Sequence, residues 1–444
     1  MREQATIFAL STAPGRAALA VFRISGPAAG DVIDRMAGPR PPARTAGLKI
    51  IRDPETREAL DQGLVLWFPA PRSETGEDLA ELHVHGGRAV AQAMLRAIGA
   101  VPGTRMAEPG EFARRAFENG KIDLTQAEAI ADLVDAETEA QARQALRQAG
   151  GALAKLYEGW RAELIEALAL MEAAIDFSDE GDVGDKTARE ARVRAEALAE
   201  KIRRHLDDGR RGEILRDGFH VVIAGPPNVG KSSFLNAMVQ REAAIVSEEA
   251  GTTRDVIEVR MDLGGLPVVL SDTAGIRETE GKIEREGIRR TIARARDADL
   301  VLWLMDATAP EQNLPPDLAA HGRHVIRVLN KIDLVGGSAH GEPGWLRLSM
   351  RTGEGLAEVT KAIEAEARER IGATEAPVIT QARHRQQLEA CARALGEYLG
   401  GALDETELRA EDLRRATMAL GRITGRVDVE DVLDQIFGRF CIGK

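Results

Sequence analysis

The run Phe219-His-Val-Val-Ile-Ala224, followed by Gly225-Pro-Pro-Asn-Val-Gly-Lys-Ser232, decides the architecture. A short apolar run that ends at a glycine reads as a buried strand entering a turn. The glycines let backbone N–H groups curl around phosphate oxygens, Lys231 reaches β and γ phosphates, and Ser232 offers a hydroxyl to magnesium. A glycine-rich turn before a helix is common, so the order of the motifs downstream of it matters. Asp272-Thr-Ala-Gly275 comes about forty residues later, and Asn330-Lys-Ile-Asp333 after that. The spacing predicts the alternating strands and helices of a doubly wound sheet, with ligands at the carboxyl ends of the strands. The Asp333 carboxylate can accept two hydrogen bonds from guanine N1–H and N2–H₂. Adenine offers no such donor pair and would leave a buried acceptor unpaired. The three motifs together point to a guanine-nucleotide hydrolase that prefers GTP to ATP.

The chain has 444 residues, more than one core accommodates, and a prior of about 150 residues per domain suggests roughly three. Its net charge of −12 argues against coating nucleic acid by bulk electrostatics, although the basic stretch Arg203 to Arg216 could touch phosphate locally. Two cysteines, Cys391 and Cys441, form no C-x-x-C pair, which disfavours a disulfide framework or structural zinc and suits a reducing cytoplasm. No charged-then-apolar leader and no apolar run of about eighteen residues occurs, so secretion and membrane spanning are disfavoured.

Four segments are expected. Residues 1–119 read as an α+β domain, with strand-like runs at Thr6 to Leu10, Ala18 to Ile24, Gly63 to Phe68 and Leu79 to Val84. Residues 120–215 turn alanine- and leucine-rich with helical apolar spacing, interrupted by the polar Ser178 to Thr187. Residues 216–372 form the α/β phosphate-loop domain of Ras-like type. After the break at Ala373 to Pro377, residues 373–444 return to helix, in Arg383 to Leu399 and Glu407 to Ile423. The nucleotide domain thus reads as inserted into a helical domain. Tethered at two nearby points, it can pass nucleotide-dependent loop changes into that body.

Thr252 and Thr253, in Glu249-Ala-Gly-Thr-Thr-Arg-Asp255, lie where a first switch belongs, and Thr253 suits magnesium. Asp272 would hold magnesium through water, and the Gly275 N–H would sense the γ-phosphate. Small signalling GTPases carry a water-orienting Gln directly after the DTAG motif. Here Ile276 stands there and cannot hydrogen-bond a nucleophilic water. Of the two carboxylates downstream, Glu284 and Glu286, Glu284 is the preferred one to orient that water, but it also reads as a solvated residue at the start of the helix through Arg285 to Arg296. Asn228 has two readings as well: a ligand for a monovalent cation beside the phosphates, or, more plainly, a loop asparagine suited to an unusual backbone angle.

The phosphate-loop Asn228, Gly251-Thr-Thr-Arg-Asp255, the apolar Ile276 and the ending Phe440-Cys-Ile-Gly-Lys444 together resemble the MnmE (TrmE) family of tRNA modification GTPases. The likeness extends to Ala13-Pro-Gly-Arg16, Phe22-Arg-Ile-Ser-Gly26, Thr75-Gly-Glu-Asp78, His85-Gly-Gly87, Glu108-Pro-Gly-Glu-Phe112 and Asn119-Gly-Lys-Ile-Asp-Leu124, and so covers essentially the full length. The resemblance implies an N-terminal folate-binding and dimerising domain and a homodimer. It also implies a flavoprotein partner, MnmG, carrying FAD and NADH, and tRNA as substrate. With that partner an aminomethyl or carboxymethylaminomethyl group would be built on C5 of the wobble uridine from 5-formyl- or methylene-tetrahydrofolate. It makes Glu284 the catalytic residue and Cys441 a candidate for a role in modification. It implies potassium at Asn228, Ser247, Glu249 and Thr252, and magnesium at Ser232 and Thr253. The nucleotide-contacting set becomes Asn228, Val229, Gly230, Lys231, Ser232 and Ser233; Ser247, Glu248, Glu249, Ala250, Gly251, Thr252 and Thr253; Asp272, Thr273, Ala274 and Gly275; Asn330, Lys331 and Asp333; and Ser349, Met350 and Arg351. Folate would be met by Arg23, Glu81, Lys121 and Lys444, where cations can pair with a glutamate tail and a carboxylate can accept from the pterin.

Related GTPases usually present Ser-Ala in the last base-contacting loop, whereas this chain reads Leu348-Ser-Met-Arg351. A backbone N–H contact to guanine O6 tolerates Met350 if the loop path is kept. Two rival functions share the nucleotide motifs. A ribosome-assembly switch would usually append a basic RNA-binding module and would not end in Cys-Ile-Gly-Lys. A scaffold gated by GTP would leave all chemistry to its partner.

Overall fold

The computed structural model describes residues 5–176, 181–241, 258–272, 298–309, 324–335, 344–372, 376–402, 405–427 and 430–443. The side chains of 181–183, 241 and 430–432 are not among those described. Two compact units emerge. One comprises Met1–Ala131, Ala149–Glu158 and Gly421–Lys444, the other Asp132–Gln148 and Gly159–Leu420.

In the first unit, six strands form one mixed sheet: β1 (Thr6–Leu10), β2 (Leu19–Ser25), β3 (Gly47–Arg52), β4 (Ala59–Phe68), β5 (Leu79–His85) and β6 (Thr104–Met106), in the order β3-β4-β5-β2-β1-β6. Four of these coincide with the strand runs expected from sequence, although β2 begins at Leu19 and leaves out Ala18. Alternation sets the faces. Val65 and Trp67 of β4, Phe22 and Ile24 of β2, and Leu82 and Val84 of β5 share a core with Val32, Ile33 and Met36 of α1 (Ala29–Ala37) and Met94 and Ile98 of α2 (Arg88–Gly99). Leu48, Ile50 and Leu64 point the other way and are exposed. Two further helices follow, α3 (Glu111–Glu118) and α4 (Leu124–Val134).

The end of the chain returns to this unit. Leu433, Ile436, Phe437 and Phe440 bury themselves against Ala113, Leu124 and Ala127, and Ile442 forms an antiparallel bridge with Pro109. Gly443, at φ +103, passes so close to β1 that a Cβ would lie 2.7 Å from the Leu10 carbonyl oxygen, so glycine is required there.

The second unit carries the helices α5 (Glu139–Ala149), α6 (Ala152–Asp176), α7 (Gly181–Leu206) and α8 (Arg211–Asp217), of which α5 and α6 each have one end in the first unit. Residues 181–187 of the interruption expected at Ser178 to Thr187 are helical, since α7 begins at Gly181. A second sheet follows, built from β7 (Phe219–Ala224), β8 (Glu258–Leu263), β9 (Leu266–Asp272), β10 (Leu300–Asp306), β11 (His324–Asn330) and β12 (Trp345–Arg347). Its order is β12-β11-β10-β7-β9-β8, parallel except for β8 against β9. Helix α9 (Lys231–Arg241) follows the phosphate loop, and α10 (Leu356–Ile371) closes the domain. The remaining helices are α11 (Ala382–Gly400), α12 (Thr406–Thr424) and α13 (Glu430–Phe437). No helix among the described residues is long and apolar enough to cross a membrane.

Several cations of the basic stretch expected to touch phosphate pair within the chain. Arg203 and Arg204 pair with Glu200, Arg210 with Glu213 at 2.8 Å, and Arg216 with Asp132 at 2.7 Å. Nearby, His205 packs edge-on against Trp160 with ring centroids 5.2 Å apart. Burial pushes its pKa down to about 4, outweighing the attraction of Asp208. The imidazole is therefore neutral in the folded chain at pH values where an unfolded chain, near pH ~6.5, would already bind a proton. The unfolded state then binds more protons, so this contribution favours unfolding as pH falls from about 6.5 towards about 4 and is absent above that window. Urea midpoints measured from pH 7.5 to 4.5 should fall less steeply for His205→Leu than for the unmodified chain; parallel slopes would refute the assignment.

Candidate functional site

The nucleotide motifs converge at the carboxyl ends of β7, β9, β10 and β11, because a parallel sheet brings successive loops to one edge. Directly after β7 the chain enters the phosphate loop. Asn228 takes a left-handed φ of +62 and is exposed, and Gly230 takes +100. Lys231 opens α9, and its Nζ donates to the carbonyl oxygens of Gly225 at 3.0 Å and Pro226 at 2.9 Å, arching the ammonium back over the loop. Its charge and the N-terminal end of α9 both favour an anion here. Ser232 Oγ donates to Asp272 Oδ2 at 2.8 Å across the gap between α9 and β9, and Asp272 is almost wholly buried.

Where guanine recognition is expected from the sequence, Asn330 is 1% exposed. Its Nδ2 donates to the Val229 carbonyl oxygen at 2.7 Å, and its Oδ1 accepts from the Met350 N–H at 3.2 Å. One amide thereby ties the phosphate loop to the last base-contacting loop. Gly230 is required by that approach, since a Cβ there would lie 2.5 Å from Asn330 Nδ2. Asp333 is held from both sides: Ser349 Oγ donates to Oδ1 at 2.7 Å, and Arg351 Nε lies 3.0 Å from Oδ2. Within the Met350 loop, the Ser349 N–H bonds the Glu354 carbonyl oxygen at 2.9 Å.

Lys331, at φ +64, pairs with Asp306 at 2.6 Å. Burial opposes ionisation of Asp306, but the Lys331 ammonium and the Thr308 hydroxyl hold its carboxyl below the usual carboxylate range. Sequence reading missed Asp306. The signal for it was present: it closes an apolar strand one ladder step from Asn330, where functional side chains of such sheets gather.

In the first unit, Arg23 and Glu81 face each other across the β2–β5 ladder, and Arg23 Nη2 lies 3.2 Å from Glu81 Oε1. Arg23 also reaches Glu74 at 3.0 Å. Lys121 is not in this pair; its Nζ donates to the Pro71 carbonyl oxygen at 2.8 Å, so the 71–74 loop touches both cations. His83, also overlooked, has Nε2 3.0 Å from Glu81 Oε2. Two residues apart on one strand, they share a face, as the period of two requires. The His83 hydrogen bond, aided by Arg23, holds the Glu81 carboxyl below its usual range against the effect of burial. Cys441 is exposed beside the Ile442–Pro109 bridge, whereas Cys391 is buried and its thiol is pushed up to about 12.

Several sequence expectations lie outside the described residues: Glu284, Ser247, Glu248, Glu249, Ala250, Gly251, Thr252, Thr253, Thr273, Ala274, Gly275 and Lys444. Among the described residues no three His, Cys, Asp or Glu side chains cluster as metal ligands.

Replacing Asn330 with alanine leaves the buried Val229 carbonyl and Met350 N–H without their partner, a cost of about 1–3 kcal/mol. Fluorescent-GDP titration of N330A and of Gly230→Ala should show affinity reduced by roughly ten- to a hundredfold. Affinity unchanged in both would refute the role given to this amide.

Comparison with known proteins agrees along the whole chain. The profile of the MnmE helical domain matches residues 124–441, and that of the GTP-binding protein TrmE N-terminus matches residues 6–121. The tRNA modification GTPase MnmE of Parvibaculum lavamentivorans is 56% identical over 443 residues, covering 99% of this chain and 100% of that protein. The protein of the same name from Methylorubrum populi is 55% identical over 447 residues, covering 100% and 99%. The solved FeoB G-domain from Methanococcus jannaschii aligns at 25% identity over 34% of this chain and 98% of its own, with a TM-score of 0.26. The chain belongs to the MnmE family of tRNA modification GTPases.

Proposed function

We propose that this GTPase of tRNA modification hydrolyses GTP under potassium control. With the flavoprotein MnmG, it adds aminomethyl or carboxymethylaminomethyl groups to C5 of the wobble uridine of tRNA, using a tetrahydrofolate one-carbon donor. The observation that carries the nucleotide half is the Asn330 junction, which aligns the phosphate loop with the loop that follows β12. Lys231 would meet the β and γ phosphates, Asp333 would read the guanine edge, and the Met350 segment would supply the backbone contact to O6. Ser232 and Asp272 present a hydroxyl and a carboxylate 2.8 Å apart, oxygen donors of the kind that suit magnesium, with Thr253 completing the set. Bound magnesium would neutralise charge developing on the phosphate oxygens.

Potassium rests on Asn228, with Ser247, Glu249 and Thr252. The left-handed backbone of Asn228 favours asparagine without any cation, so the family membership supports this part. Glu284 would orient the nucleophilic water, a duty that Ile276 cannot perform. For folate, Glu81 would accept from the pterin while Arg23, Lys121 and Lys444 pair with carboxylates. FAD and NADH would sit on MnmG, and Cys441, exposed at the end of the chain, is a candidate to take part in modification. We assign residues 1–119 to folate binding and dimerisation, 120–215 and 373–444 to the helical domain, and 216–372 to the inserted nucleotide domain. The exposed Leu48, Ile50 and Leu64 suit a second copy of the chain, and free cysteines suit the cytoplasm.

Steady-state GTP hydrolysis in potassium should exceed that in sodium at equal ionic strength, and Glu284→Ala should abolish the stimulated rate. Cation-indifferent turnover untouched by the mutation would refute both assignments. Separately, Glu81→Gln should weaken binding of 5-formyl-tetrahydrofolate by roughly tenfold or more in calorimetry, through loss of charge-assisted hydrogen bonds. GTP hydrolysis should stay intact in that variant, and undiminished folate binding would remove Glu81 from the site.

A further inference from the structure

We propose that Asp132 is the pivot on which the inserted nucleotide domain moves against the helices of its own unit, an inference that rests on the nucleotide-hydrolase function proposed for the chain. The chain passes into the domain through α8 and returns through residues 376–381. Asp132, on the last turn of α4, holds both crossings. Its Oδ1 accepts from Arg216 Nε at 2.7 Å on the incoming side, and its Oδ2 accepts from Gln381 Nε2 at 3.1 Å on the outgoing side.

Helix α5 adds a second set of ties. Gln141, Gln144 and Gln148 stand three and four residues apart and so share a helix face. Gln141 Nε2 donates to the Arg216 carbonyl oxygen at 2.9 Å and Gln144 Nε2 to that of Gly212 at 3.4 Å, both incoming. Gln148 Oε1 accepts from Thr380 Oγ1 at 2.9 Å, on the outgoing crossing. Three amides on one face and one carboxylate thus fasten two chain segments more than 160 residues apart, from Arg216 to Gln381, to the same pair of helices.

Alongside the apolar contact of Ala140 with the core that holds Ile214, the joint is bordered by polar side chains and has room beside it. A cavity of about 430 Å³ lies along the tie, its other wall formed by Asp135, Asp217, His220 and Arg260. Arg260 sits on β8, 3.6 Å from Glu137, which precedes α5. Interlocked apolar packing resists displacement, whereas hydrogen-bonded side chains bordering a void can exchange partners with little loss of contact. Strand β7 runs without interruption from this joint to Gly225 of the phosphate loop, so a displacement at one end is carried to the other.

The test is hydrogen–deuterium exchange on the full-length protein, with and without guanosine 5′-(β,γ-imido)triphosphate and magnesium in potassium buffer. In the unmodified chain, the analogue should change exchange in peptides covering residues 132–148. Asp132→Ala should bind the analogue within about threefold of the unmodified chain yet lose at least half of that change, the signature of two sites biasing one shared element. Where D132A fails to fold, Gln381→Ala, which cuts only the outgoing tie, carries the same comparison. No change on analogue binding in the unmodified chain, or the full change in the folded variant, would overturn the pivot. Binding is read on the same samples, so a chain that fails to bind the analogue at all shows the nucleotide reading to be at fault rather than the pivot.

Discussion

The amide of Asn330 imposes the constraint on which the nucleotide site depends. Its nitrogen needs an acceptor and its oxygen a donor, and both are backbone groups of other loops, Val229 and Met350. A buried amide satisfied in this way fixes distances as a bolt does, because any displacement of one loop strands a polar group away from water. The demands propagate. Gly230 must lack a side chain, and the loop after β12 must keep its path although methionine stands where related GTPases carry alanine. Asp333 is then oriented by Ser349 from that same loop.

The first unit is organised by a different constraint, the return of the chain's end to its beginning. Phe437 and Phe440 bury apolar surface against α3 and α4, and the Ser11 hydroxyl donates to the Gly443 carbonyl oxygen at 3.1 Å. That return sets Cys441 against the segment around Pro109. A cysteine at the end of a chain would otherwise have no defined surroundings. Here its position is fixed by burial on one side and a β-bridge on the other, while its own side chain stays exposed.

Insertion of one domain into another requires the two crossings to lie side by side, and polar side chains meet that requirement. Arg385 extends the pattern, pairing with Asp208 at 2.6 Å and Glu213 at 3.1 Å while donating to the Leu206 carbonyl oxygen at 2.9 Å. Charges buried this deeply contribute little net stability after desolvation, but they specify which groups meet. Arg216, paired with Asp132 at 2.7 Å, serves the same specification, while Arg204 and Arg210 stay largely exposed.

The sequence by itself determined the class of both sheets, most strand positions and the identity of the nucleotide. Strand alternation, glycine placement and the Asn-Lys-Ile-Asp motif are local features with local causes. It also carried the pairing of Arg23 with Glu81 as residues of one candidate site, though only through resemblance. Tertiary structure alone decided that Asp306 holds Lys331, that Gly230 yields to Asn330, and that Asp132 gathers two distant crossings. It also placed His83 beside Glu81 and separated Lys121 from Arg23 onto another part of the same loop. The physical reason is range. Propensity and periodicity act over one or two turns of chain, whereas these bonds join residues that only the completed sheets and helices bring within about 3 Å, the reach of a hydrogen bond.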